Sequence, residues 1–385
     1  MRRLVPIAVL VLSVGLLAWG LLDNRQSGAV SANAVFYPAI NTGIDGFKRA
    51  DAPYEWYFPT DYGAHPEFQT EWWYYTGNLA DDSGRRFGFQ FTIFRRAIAP
   101  DAPTSDSEWR SNQVYMAHLT VTDVEAQRFI QAQRFSRAGG ALAGASTDPV
   151  YRVWLDDWQV IALDSASRQT RITAATDEAS LALSLEQVKP PALQGDDGLS
   201  PKSAEPGKAS YYYSLSRLLT QGTIRIGETT YTVSGATWTD HEFSTSALGQ
   251  NVIGWDWFGL QLDDDRELML GQIRLQDGST DPAFSGLLVL PDGSTRKLDA
   301  AAFTISSTAT WTSPHTGAVY PAEWDIRVDT GDDQPLHISV TPLVADQELT
   351  EGISYWEGAV RIDGDATGYG YAELTGYTAP MQGRF

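Results

Sequence analysis

Along most of the chain apolar and polar residues alternate with a period of two, and turn-forming residues interrupt the alternation at short intervals. Phe87, Phe89, Phe91 and Ile93 fall on one face of an extended segment. Ile224 and Ile226 lead into Gly227-Glu228 and on to Tyr231 and Val233, and Leu288 and Leu290 run into Pro291-Asp292-Gly293. Such alternation lays one face of a strand on a core, and the Gly-containing pairs are turn signals between strands. After residue 22 no run has the spacing of an amphipathic helix. The pattern predicts an all-β protein, sandwich or barrel, built mainly from hairpins.

Two segments echo each other without a gap. "WYYTGNLADD", from Trp73, and "WDWFGLQLDD", from Trp255, share Trp-x-aromatic-x-Gly-x-x-x-Asp-Asp. A chain of 385 residues exceeds the usual size of one domain, so two β-domains related by duplication are expected, residues 35–235 and 236–385. Residues 189–210, "KPPALQGDDGLSPKSAEPGKAS", are rich in Pro, Gly, Asp and Ser and read as a long surface loop, either a spacer or a lid.

The N-terminus changes the setting. Met1-Arg2-Arg3 precedes an uncharged apolar run, residues 4–22, and "SANAV" offers an Ala32-x-Ala34 cleavage site. Residues 1–34 therefore read as an export signal or an uncleaved inner-membrane anchor, which places the mature chain in the periplasm or outside the cell. The formal charge is -20, and removing residues 1–34, with Arg2, Arg3, Arg25 and Asp23, makes it -22. So acidic a surface repels nucleic acid and anionic membrane; contact with the membrane is expected only through the N-terminal segment. The chain has no cysteine, which excludes disulfides, thiolate metal sites and a cysteine nucleophile.

Candidate chemistry concentrates in "GATWTDHEFSTS", residues 235–246, where Asp240, His241 and Glu242 stand between Trp238 and Phe243. In a strand Asp240 and Glu242 face one way and His241 the other. The cluster reads either as a loop latch or as the border of a ligand site. His65, before Pro66, and His118, between Met116 and Thr120, are equally readable as core histidines. Glu71, on one face with Trp73 and Tyr75, and Glu357, after Trp356, are readable as buried structural carboxylates. Trp72, Trp73, Trp255 and Trp257 lie at the echoed strands and could line an apolar pocket. Histidines scattered this widely leave no strong ligand set, so neither metal nor other cofactor is expected.

The segments "HPEFQTEWWYYTGNLADDSGRRFGFQFTIFR" (65–95), "YMAHLTVTD" (115–123), "KPPALQGDDGLS" (189–200), "WTDHEFSTS" (238–246), "GWDWFGLQLDD" (254–264) and "YWEGAVRIDG" with "GYAELTGY" (355–377) resemble the AttH and carotenoid 1,2-hydratase family. The resemblance implies two calycin- or lipocalin-like antiparallel β-barrel domains. It also implies either cofactor-free hydration of a terminal C=C in an isoprenoid or, in the AttH-type branch labelled secreted hydrolase, association with an ABC-type exporter. Thr239 and Phe243 depart from the commoner Trp-Met-Asp-His-Glu-Trp form and resemble the AttH-type branch more closely.

Hydrating an alkene requires an acid that stays protonated near neutral pH and aromatic faces that stabilise a carbocation. Asp256 shares a strand face with Phe258, Leu260 and Leu262, and burial there would raise its pKa toward that condition. With His241 within ~4 Å, the imidazolium would be the donor instead and Asp256 its orienter. The expected site thus joins Asp256, His241, Asp240 and Glu242 to His65, Glu71, Trp72, Trp73, Tyr75, His118, Trp238, Trp255 and Trp257, around a hydrophobic small molecule or lipid.

Overall fold

The computed structural model describes residues 44–381 other than 102, 103, 105, 246 and 250, so residues 1–34, expected to be a signal or anchor, lie outside the described residues. The all-β expectation holds: two antiparallel sheets curve into barrel-like forms, one nearly closed and one a half-barrel. The first sheet contains β1 (Thr70–Ala80), β2 (Arg86–Ala97), β3 (Gln113–Asp123), β4 (Arg128–Arg137), β5 (Ala143–Ser146), β6 (Arg152–Leu155) and β7 (Trp158–Ala162). It continues with β8 (Gln169–Ala175), β9 (Ala179–Gln187), β10 (Ala192–Leu193), β11 (Leu199–Pro201), β12 (Ala209–Ile226) and β13 (Thr229–Ser244). The second sheet contains β14 (Val252–Leu262), β15 (Glu267–Leu275), β16 (Gly286–Val289), β17 (Thr295–Leu298) and β18 (Phe303–Thr312). It ends with β19 (Val319–Val328), β20 (Leu336–Pro342), β21 (Glu348–Leu349), β22 (Tyr355–Gly364) and β23 (Gly368–Leu374).

In each sheet the first strand pairs with the last, β1 with β13 and β14 with β23. The echoed segments therefore hold equivalent places in the two sheets. Their side chains do not face alike, however: Trp73 points into the first core, whereas Trp257 packs against Tyr74 and Trp238 of the first sheet. Strand β13 runs through residue 235, and the chain passes from one sheet to the other between Ser244 and Val252.

Alternation decides the two faces. Phe87, Phe89, Phe91 and Ile93 of β2 are fully buried in the first core, as are Ala117 and Val121 of β3. The opposite faces carry Gln90, Thr92, His118, Thr120 and Thr122, and these polar residues are buried as well. The reason is the second sheet, which lies against them. A Cβ on Gly88 would stand 2.7 Å from Ala359 Cβ and 2.8 Å from Tyr371 Oη, so the second sheet leaves no room for a side chain there.

Residues 189–210 correct the expectation of a surface loop. β10 and β11 both pair with β12. Lys189 Nζ is buried against the Glu267 carboxylate, 2.9 and 3.0 Å from its oxygens, and Gln194 Nε2 donates to Ser214 Oγ at 2.8 Å. Composition alone suggested solvent exposure; pairing with β12 and the buried Lys189–Glu267 ion pair take much of the segment inside the protein instead.

Candidate functional site

Where the sheets meet, β13 presents Trp238, Asp240 and Glu242 toward the second sheet, as strand alternation requires. Cross-strand pairing sets Tyr74 and Ser214 on either side of Asp240, and Trp72 and Tyr212 on either side of Glu242. From the second sheet Trp257, Glu373 and Glu357 form one rung across β14, β23 and β22. The two sheets are bonded here: Tyr74 Oη donates to Glu357 Oε1 at 2.5 Å and Trp257 Nε1 to Tyr212 Oη at 3.2 Å. The Trp257 ring stands edge-on to Tyr74 and Trp238, with centroids 5.3 and 6.0 Å apart.

Three donors converge on Asp240: Trp238 Nε1 at 2.7 Å, Tyr212 Oη at 2.7 Å and Ser214 Oγ at 2.5 Å. Burial outweighs them and pushes Asp240 up to about 7. Burial also pushes Glu373 up to about 7, against a hydrogen bond from Trp255 Nε1. Glu357, buried and directly opposite Glu373, is held well above the usual carboxylate range by burial and by that neighbouring charge. Glu242 lies 3.0 Å from Lys202 Nζ, which also sits 4.8 Å over the Tyr212 ring.

These shifts have a definite sign in stability. Asp240 and Glu373 bind a proton more tightly folded than unfolded, so their contribution is complete below about pH 4 and is lost as pH rises to about 7. Asp240→Asn, which mimics the neutral acid, is expected to flatten that decline. Urea melts of both proteins between pH 4 and 8 measure it; an equal decline in the variant would show that Asp240 is ionised throughout.

A second cluster lies inside the first barrel. Glu71 Oε1 is 2.8 Å from both His65 Nδ1 and His241 Nε2, and Arg95 Nε donates to Glu71 Oε2 at 2.7 Å. His241 Nδ1 meets Tyr213 Oη at 2.9 Å, and the ring stacks on Trp73 at 4.9 Å. Burial works against the Glu71 charge, yet Arg95 and the two histidines hold its carboxyl well below the usual range. Against burial, Asp61 and Glu71 push His65 up to about 9, while burial pulls His241 below its ordinary value.

Donor atoms of His65, Glu71 and His241 lie within 4.8 Å of one another, a gathering that their separation in sequence concealed. A dication there would stand beside the Arg95 guanidinium, which already balances Glu71, and would have to break the hydrogen bonds that occupy all three donors. Purified protein dialysed against chelator is expected to carry no stoichiometric zinc or iron; metal retained at one per chain by mass spectrometry would overturn this.

The expected site therefore divides. Trp72, Trp238, Trp255, Trp257, Asp240 and Glu242 belong to the seam between the sheets, whereas His65, Glu71, Trp73, Tyr75 and His241 belong to the first barrel. His118 faces the seam farther along, bonded to Tyr355 Oη and Gln133 Oε1 at 2.8 Å each, and burial pulls it down to about 4. Asp256 is buried and raised as expected, but the close pairing with His241 does not form. Its carboxylate meets Arg274 Nε at 3.1 Å, Gln272 Nε2 at 3.2 Å and Tyr377 Oη at 3.0 Å, while both ring nitrogens of His241 are engaged by Tyr213 and Glu71. Asp256 lies on the β14 face that enters the second core; Trp255 and Trp257 lie on the other.

Sequence reasoning passed over Tyr74, Tyr212, Ser214 and Glu373. One signal was available: in "YWEGA" and "YAEL" an acid sits two residues after a tyrosine, on the same face of a strand.

Residues 49–377 match the family model described as AttH-like. The chain belongs to the AttH-like family. A crystal structure of a protein assigned as AttH from Nitrosomonas europaea is similar over 86% of this chain and 100% of its own, with 34% identity and a TM-score of 0.76. Kievitone hydratase from Nectria haematococca shares the fold over 87% of this chain and 98% of its own, at 14% identity and a TM-score of 0.62. CghA does so over 88% and 98%, at 10% identity and a TM-score of 0.51. No curated protein matches the chain.

Proposed function

We propose that the seam between the sheets is an active site for cofactor-independent, acid-catalysed hydration of a carbon–carbon double bond in a hydrophobic, isoprenoid- or lipid-like molecule. One observation carries the reading: Glu357, Glu373 and Asp240 are carboxyl groups that burial keeps protonated toward neutral pH, and they stand beside Trp238, Trp255 and Trp257. A neutral carboxylic acid can protonate an alkene, and indole faces stabilise the resulting cation. Likeness in fold to a kievitone hydratase agrees with this.

In the proposed step the Glu357–Glu373 pair supplies the proton. A C–H bond forms as the O–H bond breaks, leaving a carbocation against the tryptophans and a carboxylate in the pair. Water adds its oxygen to the cation, forming the C–O bond, and its surplus proton returns to the carboxylate. No redox partner is needed.

Hydrolase-type chemistry on such a ligand, or non-catalytic carriage of a lipophile for an ABC-type export system, is the other reading; the apolar run at residues 4–22 favours action in the periplasm or outside the cell. Native mass spectrometry of lipid carried through purification identifies the occupant. Incubating wild type with that molecule and with ortho-prenylphenol in isotopically labelled water is expected to yield labelled alcohol; binding with no labelled product would move the protein to the carrier class.

A further inference from the structure

One row across the first sheet has more hydrogen-bonding capacity than the protein uses. Thr76 of β1 pairs with Gln90 of β2, and Gln90 with Thr120 of β3, so the three are cross-strand neighbours on the face turned to the second sheet. All three are buried, at 1%, 0% and 0% exposure. Yet Thr76 Oγ1, Gln90 Oε1 and Thr120 Oγ1 have no hydrogen-bond partner among the described protein groups. Gln90 is not loose: its Nε2 donates to Thr92 Oγ1 at 2.6 Å and to Tyr355 Oη at 3.4 Å, which directs Oε1 away from both.

The surroundings tie this row to the acids. On the other side of Thr76, β13 places Trp238, whose Nε1 bonds Asp240. From the second sheet Tyr355, Glu357 and Ala359 alternate along one face of β22. Tyr355 reaches Gln90, Ala359 stands where a Cβ on Gly88 would be, and Glu357 lies between them. Glu357 Oε1 is taken by Tyr74, and its carboxyl stands directly opposite Glu373 of β23.

A buried polar atom left unsatisfied costs about 1–3 kcal/mol, so three in one row are a feature that only a bound polar group relieves. The group that fits is an O–H: it donates to Gln90 Oε1 and accepts from a threonine hydroxyl. We propose that Thr76, Gln90 and Thr120 hold the water that adds to the double bond, next to the acid that protonates it; this rests on the hydration reading above. Water held there attacks the carbocation and passes its surplus proton to the Glu357–Glu373 carboxylate, which restores the acid.

Two measurements test it separately. A high-resolution crystal structure of the full protein is expected to show ordered water within hydrogen-bonding distance of at least two of the three oxygens; a dry row overturns the proposal whatever the activity proves to be. In heavy water with ortho-prenylphenol, Thr76→Val and Thr120→Val are expected to form the alcohol about 10²-fold more slowly while still exchanging deuterium into the prenyl group, because protonation survives and the cation reverts. Variants that hydrate at the wild-type rate, or that melt higher because a dry, unsatisfied hydroxyl has been removed, overturn it. If wild type neither hydrates the probe nor exchanges deuterium into it, the hydration reading fails, and the crystal structure alone decides whether the row seats water.

Discussion

Glu357→Gln is expected to lower hydration by about 10²–10⁴-fold, the range that a positioned general acid contributes, while leaving ligand binding intact. Glutamine keeps the acceptor for Tyr74 and the volume between β22 and β1, so only the transferable proton is lost. Burial and the charge of Glu373 hold Glu357 well above the usual carboxylate range, which favours its protonated form in the wild type. The variant should therefore fold with near-wild-type stability at pH 7. Since Glu373 titrates near 7, wild-type kcat/KM should fall above about pH 7 as the pair loses its proton. Turnover, dissociation of the co-purified ligand and melting temperature, measured together, decide the point. Normal turnover removes the pair from the chemistry, and early melting with lost binding makes it structural.

Glu71→Ala is expected to be among the most destabilising single changes in the first barrel, by roughly 3–5 kcal/mol, because removing one member of a buried ion pair strands the others. Arg95 would lose its carboxylate, and His65, which Glu71 helps keep charged, would lose a partner at 2.8 Å. The pH dependence has a sign of its own. His65, raised to about 9, contributes stability that is complete below about pH 6.5 and is lost as pH rises through 9. That alkaline decline should be smaller in the variant. Urea unfolding at pH 7 and at pH 9.5 measures both effects; a variant as stable as wild type at pH 7 would show that the network contributes nothing net.

Much of the architecture was legible in one dimension. A strand's facing depends only on its own alternation, so Phe87, Phe89, Phe91 and Ile93 announced a core face, and the opposed directions of Asp240 and His241 followed from adjacency in a strand. The family motifs likewise span nearly all of the matched region. What alternation cannot express is which second surface covers the other face. Gln90 and Thr92 alternate with the core residues of β2 and so read as the solvent side of a sheet, yet they are buried because the second sheet lies over them.

The same limit explains the candidate residues. A pairing of Asp256 with His241 requires the two within ~4 Å, but strand facing sends one toward the second core and the other toward the first. Glu357 and Glu373 become neighbouring buried carboxyls with raised pKa only when β22 and β23 set them opposite each other and Tyr74 arrives from the other sheet. A raised pKa is a property of desolvation and neighbouring charge, and neither is encoded in spacing. The sequence by itself determined the all-β class, the facing of its alternating strands and the family; tertiary structure decided which polar faces lose water, and with that which carboxyl groups have their pKa raised.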